Sequence, residues 1–248
     1  MRLKGKKAVI TGGASGFGKK TALLFAREGA EITVFDRNLD GAGQTAAEIK
    51  ALGGAAHAVG MNVADENEVK TAFAEALRTM GAIDILINCA GFGRSGDIQD
   101  LTLEQWQSTM NVNATGIFLC CREVIPHMIE RQYGKIVNIS SICAQTGRSV
   151  SVDYAASKSA ILGITRALAL QVAKDGINVN AIAPGPVDTP LFRKNAMNER
   201  MQELMSTIPY KRMGTTEDIA NLFLFLASDE SAWITGECIA INGGALMS

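Results

Sequence analysis

A glycine-rich turn between a strand-like run and a helix-like run constrains this chain more than any other stretch. Lys7 to Thr11 (Lys-Ala-Val-Ile-Thr) reads as a short buried strand, and Gly12 to Gly18 follows it. Lys19 to Glu28 carries apolar residues at helical spacing and stops at Gly29, and Glu31 to Phe35 reads as a second strand closed by Asp36. Strand, turn, helix and strand within about thirty residues make a β-α-β unit. Its strands are parallel, so they need further strands beside them and helices over both faces.

The rest of the chain supplies both. Helical patterns cover Asp40 to Leu52, Glu66 to Met80, Leu103 to Glu130 (with a break near Asn111 to Gly116), Tyr154 to Lys174, Thr189 to Ser206 and Thr216 to Ser228. Strand patterns cover Ala55 to Val59, Ile83 to Asn88, Lys135 to Ser140, Ile177 to Ile182 and Glu237 to Asn242. The expectation is an α/β fold, a doubly wound, Rossmann-like parallel sheet of about seven strands with helices on both faces. No linker, repeat or low-complexity stretch divides the chain, so residues 1–248 read as one domain.

Composition narrows the function classes. A net charge of −1 provides no basic field for nucleic acid or an anionic membrane. No apolar run approaches the ~20 residues of a membrane span, and no signal peptide is expected at the N-terminus. Five scattered cysteines without Cys-x-x-Cys spacing suit reduced thiols in the cytoplasm. Two distant histidines, His57 and His127, exclude a compact zinc set, so no metal is expected, and they make poor material for a hydrolase triad.

The turn Thr11-Gly12-Gly13-Ala14-Ser15-Gly16-Phe17-Gly18 has a physical use. Glycines let the backbone approach a pyrophosphate, whose charge then sits at a helix N-terminus. Asp36, at the end of the second strand, can accept hydrogen bonds from an adenosine ribose and repels a 2′-phosphate. Ser15 supplies no cation for such a phosphate. Both favour NAD over NADP, while Arg37 is the counter-signal.

Tyr154 and Lys158 stand four residues apart, on one face of a helix. An ammonium beside a phenol favours the phenolate, so the pair can serve as an acid/base without histidine, and Lys158 is expected to lower the tyrosine pKa. Alone, this spacing also describes an ordinary helix face.

Together and in order, Thr11-Gly12-x-x-x-Gly16-x-Gly18, Asn88-Cys89-Ala90-Gly91, Asn113, Ser141, Tyr154-x-x-x-Lys158 and Pro184-Gly185 resemble the short-chain dehydrogenase/reductase family, from Lys6 to Gly244. The resemblance implies Tyr154 as proton donor or acceptor, Ser141 as orienter of the substrate oxygen, and Lys158 on the nicotinamide ribose. It implies Asn113 as holder of a water that relays protons from Lys158, with Asn111 as a rival for that place. It further implies that Asn88 to Gly91 brace the sheet and border the adenosine. Asn62 and Val63 would face adenine, and Pro184 to Thr189 would pass the carboxamide, with Val187 and Thr189 as contacts. Cys89 replaces a usual asparagine, which puts the sheet-bracing hydrogen bonds there in question; Asn62 replaces a usual aspartate, and since an amide both donates and accepts, the contact to adenine is expected to survive. A homotetramer is implied, through the helices of Leu103 to Glu130 and Tyr154 to Lys174 and through the C-terminal segment.

The reading that follows is an NAD-dependent oxidoreductase interconverting a secondary alcohol (polyol, sugar or hydroxy acid) and its ketone. The alternatives are an NADPH-dependent 3-oxoacyl thioester reductase and a non-catalytic dinucleotide-sensing module. The loops Phe92 to Asp100, Ile142 to Asp153 and a lid over 186–210 would choose the substrate. Arg94, Gln145 and Arg148 are candidates to meet a polar or anionic group, and Cys143 would line the pocket.

Overall fold

Seven parallel strands form one sheet in the order β3-β2-β1-β4-β5-β6-β7 in the computed structural model, which describes residues 1–147, 151–189, 192, 206 and 208–247. They are β1 (Lys7–Thr11), β2 (Glu31–Asp36), β3 (Ala56–Gly60), β4 (Ile85–Asn88), β5 (Gly134–Ile139), β6 (Ile177–Pro184) and β7 (Cys238–Ile241). The chain builds outward from β1 to β3, then returns to the other side of β1 with β4. That reversal opens a crevice beyond the carboxyl ends of β1 and β4, where such sheets bind ligands.

Alternation of side chains divides each strand between two cores. Val9, Phe35, Leu86, Ile136 and Val179 face α3 (Glu66–Met80), α5 (Gly116–Arg131) and α7 (Val152–Val172). Ile10, Ile32, Val34, Ile87 and Val137 face α1 (Gly16–Arg27), α2 (Leu39–Ala51) and α8 (Thr216–Ala227). Burial on both faces is why the strands read as apolar runs rather than alternating ones.

The break expected near Asn111 to Gly116 is a π-helical turn, Asn111–Thr115, between α4 (Leu103–Met110) and α5. A short helix, α6 (Cys143–Thr146), and the first turn of α7 occupy part of the stretch expected to be a loop, Ile142 to Asp153. Ladder pairing of β4 begins at Ile85 rather than Ile83; Asp84, just before it, still bonds both neighbours, its N–H donating to the Lys7 carbonyl (2.8 Å), its carbonyl accepting the Lys135 N–H (3.0 Å) and its carboxylate accepting the Lys7 N–H (2.9 Å). The helix expected from Thr189 to Ser206, most of the lid and Arg148 lie outside the described residues. Among the described residues no helix is long and apolar enough to cross a membrane.

Candidate active site

The glycine turn is held in its shape by close contacts. Gly12 (φ 68°) and Gly16 (φ 55°) take left-handed backbone that other residues rarely adopt. A Cβ on Gly12 would lie 2.8 Å from the Ala90 Cα, and one on Gly18 would meet the Gly12 carbonyl oxygen. Ser15 opens α1 without a side-chain capping bond, and no acid stands in the first turn. Such a helix start leaves amide N–H groups for an anion.

A cleft of about 400 Å³ opens at this turn. It gathers Gly12, Ser15, Gly16, Phe17, Gly18, Asp36, Arg37, Asn62, Val63, Ala90, Gly91 and Thr189, twelve positions expected from sequence. Ala14, Asn38, Met61, Cys89, Phe92 and Val112 line it too. Only spatial proximity marks Met61, Phe92 and Val112, because apolar residues carry no motif of their own. Asn88, Tyr154, Lys158, Pro184, Gly185 and Val187, also expected on the dinucleotide, do not line it. Asn88 is buried beneath, donating to Asn138 Oδ1 (2.9 Å), and Val187 packs into the core. Asn242 lies against Gly185, 2.7 Å from where a Cβ would stand.

At one end of the cleft the Asp36 carboxylate accepts the Ala14 N–H (3.0 Å) and the Asn38 N–H (2.9 Å), tying β2 to the glycine turn. The exposed Arg37 follows it. Asn62 lies beyond β3, which ends at Gly60. Its Oδ1 accepts the Ala64 N–H (3.1 Å), which leaves the amide N–H₂ and the second lone pair of Oδ1 for a further contact. The N–H groups of Cys89 and Ala90 both donate to the Thr11 hydroxyl (3.1 Å each), so the segment after β4 is tied to the end of β1 through backbone atoms rather than through the side chain at 89.

Behind Gly91 stands the second group. A Cβ on Gly91 would lie 3.1 Å from Asn113 Oδ1 and 3.4 Å from Lys158 Nζ, so this glycine separates the cleft from the buried polar side chains. Asn113, fully buried in the π-helical turn, uses both ends of its amide. Oδ1 accepts the Phe92 N–H (3.0 Å), and Nδ2 donates to the Phe92 carbonyl (2.8 Å) and to Ser157 Oγ (3.0 Å). Its side chain is therefore a backbone clamp. The rival Asn111 has no such bond among those described.

Tyr154, Ser141 and Lys158 meet at the start of α7. Ser141, buried two residues past β5, accepts the Cys143 N–H (3.2 Å) and shares a hydrogen bond with the Tyr154 phenol. Lys158 is 3 % exposed and donates to the Ile139 carbonyl (3.0 Å). The expected lowering of the tyrosine pKa by Lys158 is not what the structure shows. Desolvation dominates, reinforced by Cys143, and pushes the phenol up to about 12; the Ser141 hydrogen bond offsets only part of this. Burial pulls the Lys158 ammonium down to about 8. Gln145 is exposed. Cys143 begins α6, outside the cleft.

Two nested cradles, a glycine-lined crevice at a helix start and a buried Ser-Tyr-Lys group beside it, define a dinucleotide-dependent oxidoreductase. Comparison with known proteins agrees. A family model described as Enoyl-(Acyl carrier protein) reductase matches residues 12–245. The 3-oxoacyl-[acyl-carrier-protein] reductase FabG of Thermotoga maritima is 39% identical over 248 residues, covering 100% of both chains. The (2S)-[(R)-hydroxy(phenyl)methyl]succinyl-CoA dehydrogenase subunit BbsD of Thauera aromatica is 39% identical over 249 residues, 98% of each. A solved Sinorhizobium meliloti 1021 chain assigned to the short-chain alcohol dehydrogenases superposes with a TM-score of 0.92 at 36% identity, covering 98% of this chain and 97% of that one. This chain belongs to the short-chain dehydrogenase/reductase family. It is an NAD(P)-dependent oxidoreductase acting on CH–OH and C=O groups.

Proposed function

We propose that this enzyme interconverts a 3-oxoacyl thioester and the corresponding 3-hydroxyacyl thioester, with NAD(H) as its dinucleotide. The substrate class rests on the relatives matching over essentially the full chain, which are named for acyl-carrier-protein or CoA thioesters. They favour the thioester alternative over a polyol, sugar or simple hydroxy acid. The dinucleotide rests on Asp36, whose carboxylate lines the cleft where a 2′-phosphate would otherwise sit.

A bound dinucleotide supplies the hydride. In the reducing direction the neutral Tyr154 phenol gives its proton to the substrate oxygen as negative charge develops there. The Ser141 hydroxyl, positioned by the Cys143 amide, donates to the same oxygen. The Lys158 ammonium, 5.7 Å from the centre of the tyrosine ring, offsets the charge left on the phenolate. Gly12, Gly16 and Gly18 would hold the pyrophosphate of the dinucleotide at the start of α1.

The same reading places the enzyme in the cytoplasm, where its free cysteines stay reduced, and makes it a homotetramer. Exposed Phe118 on α5 and Leu170 on α7 (87 % exposed), with Trp233 and Met247 near the C-terminus, are the apolar surfaces such contacts would cover. Light scattering after size exclusion measures this directly.

The function is tested by assaying an acetoacetyl thioester with NADH and with NADPH, beside a panel of polyols, sugars and hydroxy acids. Thioester reduction with tighter NADH binding by nicotinamide fluorescence is expected. Preference for an underivatised alcohol would sink the substrate class, and tighter NADPH binding would sink the cofactor.

A further inference from the structure

We propose that Arg94 and Asp153 are positioning residues that latch the tripeptide Phe92-Gly93-Arg94 across the ring of Tyr154. The proposal rests on Tyr154 acting as the acid/base.

The tripeptide is fastened at its first residue by Asn113, which binds both the N–H and the carbonyl of Phe92. Its middle residue lies close against the tyrosine ring. A Cβ on Gly93 would stand 2.9 Å from Tyr154 Cδ2 and 3.2 Å from Cε2, so only glycine permits this approach. Its third residue reaches the start of α7. Arg94 Nε lies 3.8 Å from Asp153 Oδ2, and the guanidinium lies 5.3 Å from the Phe92 ring. Nε is buried without a hydrogen-bond partner, so the pair is held by charge rather than by a directed bond.

Asp153 is built to be a fixed anion. It is fully buried, directly before Tyr154 in the chain, and it accepts the Thr109 hydroxyl (2.5 Å) and the Ser151 hydroxyl. Burial alone would raise its pKa. The Ser151, Thr109 and Tyr154 backbone hydrogen bonds outweigh that and, with Arg94, hold it below the ordinary carboxylate range. Thr109 belongs to α4 and Asn113 to the turn that follows, so both fastenings of the tripeptide trace to one helical segment. The ring of Tyr154 is thus confined by the wall of the cofactor cleft, since Phe92 lines that cleft.

The test uses full-length Arg94→Ala, Arg94→Lys, Asp153→Asn and the Arg94→Ala/Asp153→Asn double variant. Readouts are kcat and KM for the thioester, NADH affinity by fluorescence, and deuterium uptake of the peptide spanning residues 91–95. Arg94→Ala should lower kcat roughly 10- to 100-fold, as small misplacements of reacting groups do, with NADH affinity within about twofold. Uptake at 91–95 should rise. Arg94→Lys should recover most of the turnover, because a charge contact needs no planar fork, and the double variant should lose no more than the worse single variant. Unchanged kcat and uptake in folded Arg94→Ala overturns the latch. So does a rise in thioester KM alone that Lys fails to repair, which would make Arg94 a substrate contact. Should Asp153→Asn not fold, the two Arg94 variants decide alone. Tyr154→Phe run alongside separates the two readings: normal turnover there removes Tyr154 from the mechanism, whereas deuterium uptake reports the latch regardless.

Discussion

The ammonium of Lys158 and the ring of Tyr154 are neighbours without a bond: Nζ stands 5.7 Å from the ring centre, and its 3.0 Å hydrogen bond goes to the Ile139 carbonyl. Burial acts on both, in opposite senses, leaving lysine at about 8 and tyrosine at about 12. Each is moved toward its neutral form.

A pH profile follows. Carbonyl reduction needs a neutral phenol and a charged lysine, so its rate should be level below about pH 8 and fall above it as Lys158 discharges. Folding stability should move the other way. Between about 8 and 10 the unfolded lysine holds a proton that the folded one has lost, so stability rises with pH there. Above 10 the raised Tyr154 pKa contributes the opposite slope. Steady-state reduction rates and urea melts over the same buffers measure both; a rate that climbs through pH 8 would contradict the assigned protonation states.

Tyr154→Phe should leave dinucleotide affinity nearly intact while turnover drops by ~10²–10⁴-fold, the range for a removed proton donor. Lys158→Ala should weaken both. Stopped-flow turnover with fluorescence titration tells these apart.

Asp36→Ala should narrow or reverse the proposed preference for NADH. It removes acceptors worth roughly 1.5–3 kcal/mol each when charged and the anion that opposes a 2′-phosphate. It also releases the Ala14 and Asn38 N–H groups, so a modest fall in melting temperature should accompany the change. Equal NADPH affinity before and after would show that Arg37, not Asp36, sets the choice.

Two glycine-to-alanine changes should differ in sign. Gly12→Ala places a methyl 2.8 Å from the Ala90 backbone at φ 68°, and should cost about 1–3 kcal/mol and most dinucleotide binding. Gly43→Ala, within α2 and with open space around it, should be neutral or stabilising by about 0.4–1 kcal/mol. Thermal melts of the pair give the comparison.

What could be read before folding was whatever repeats or clusters along the chain. Apolar periodicity yields the seven strands, and the spacing of Gly12, Gly16, Gly18 and Asp36 yields the cleft, because turn, helix start and strand end are local matters. The Tyr154 pKa lies opposite to the sequence expectation because four residues of spacing report a neighbour but not the burial of both partners. The clamp of Asn113 on Phe92 was invisible for a different reason: its partners are backbone atoms, which no residue type advertises. Asp153 did leave a trace, a carboxylate in the first turn of a helix beside the tyrosine, but such acids commonly serve only the helix dipole.

The π-helical turn at Asn111–Thr115 carries one surplus residue, and deleting it would restore ordinary winding. Restored winding would swing α4 by about 100° about its axis relative to α5. Thr109 would leave Asp153, and Asn113 could not face Phe92. A point change in this segment removes one fastening at a time, whereas a single-codon deletion would remove the Thr109 and the Asn113 contacts together.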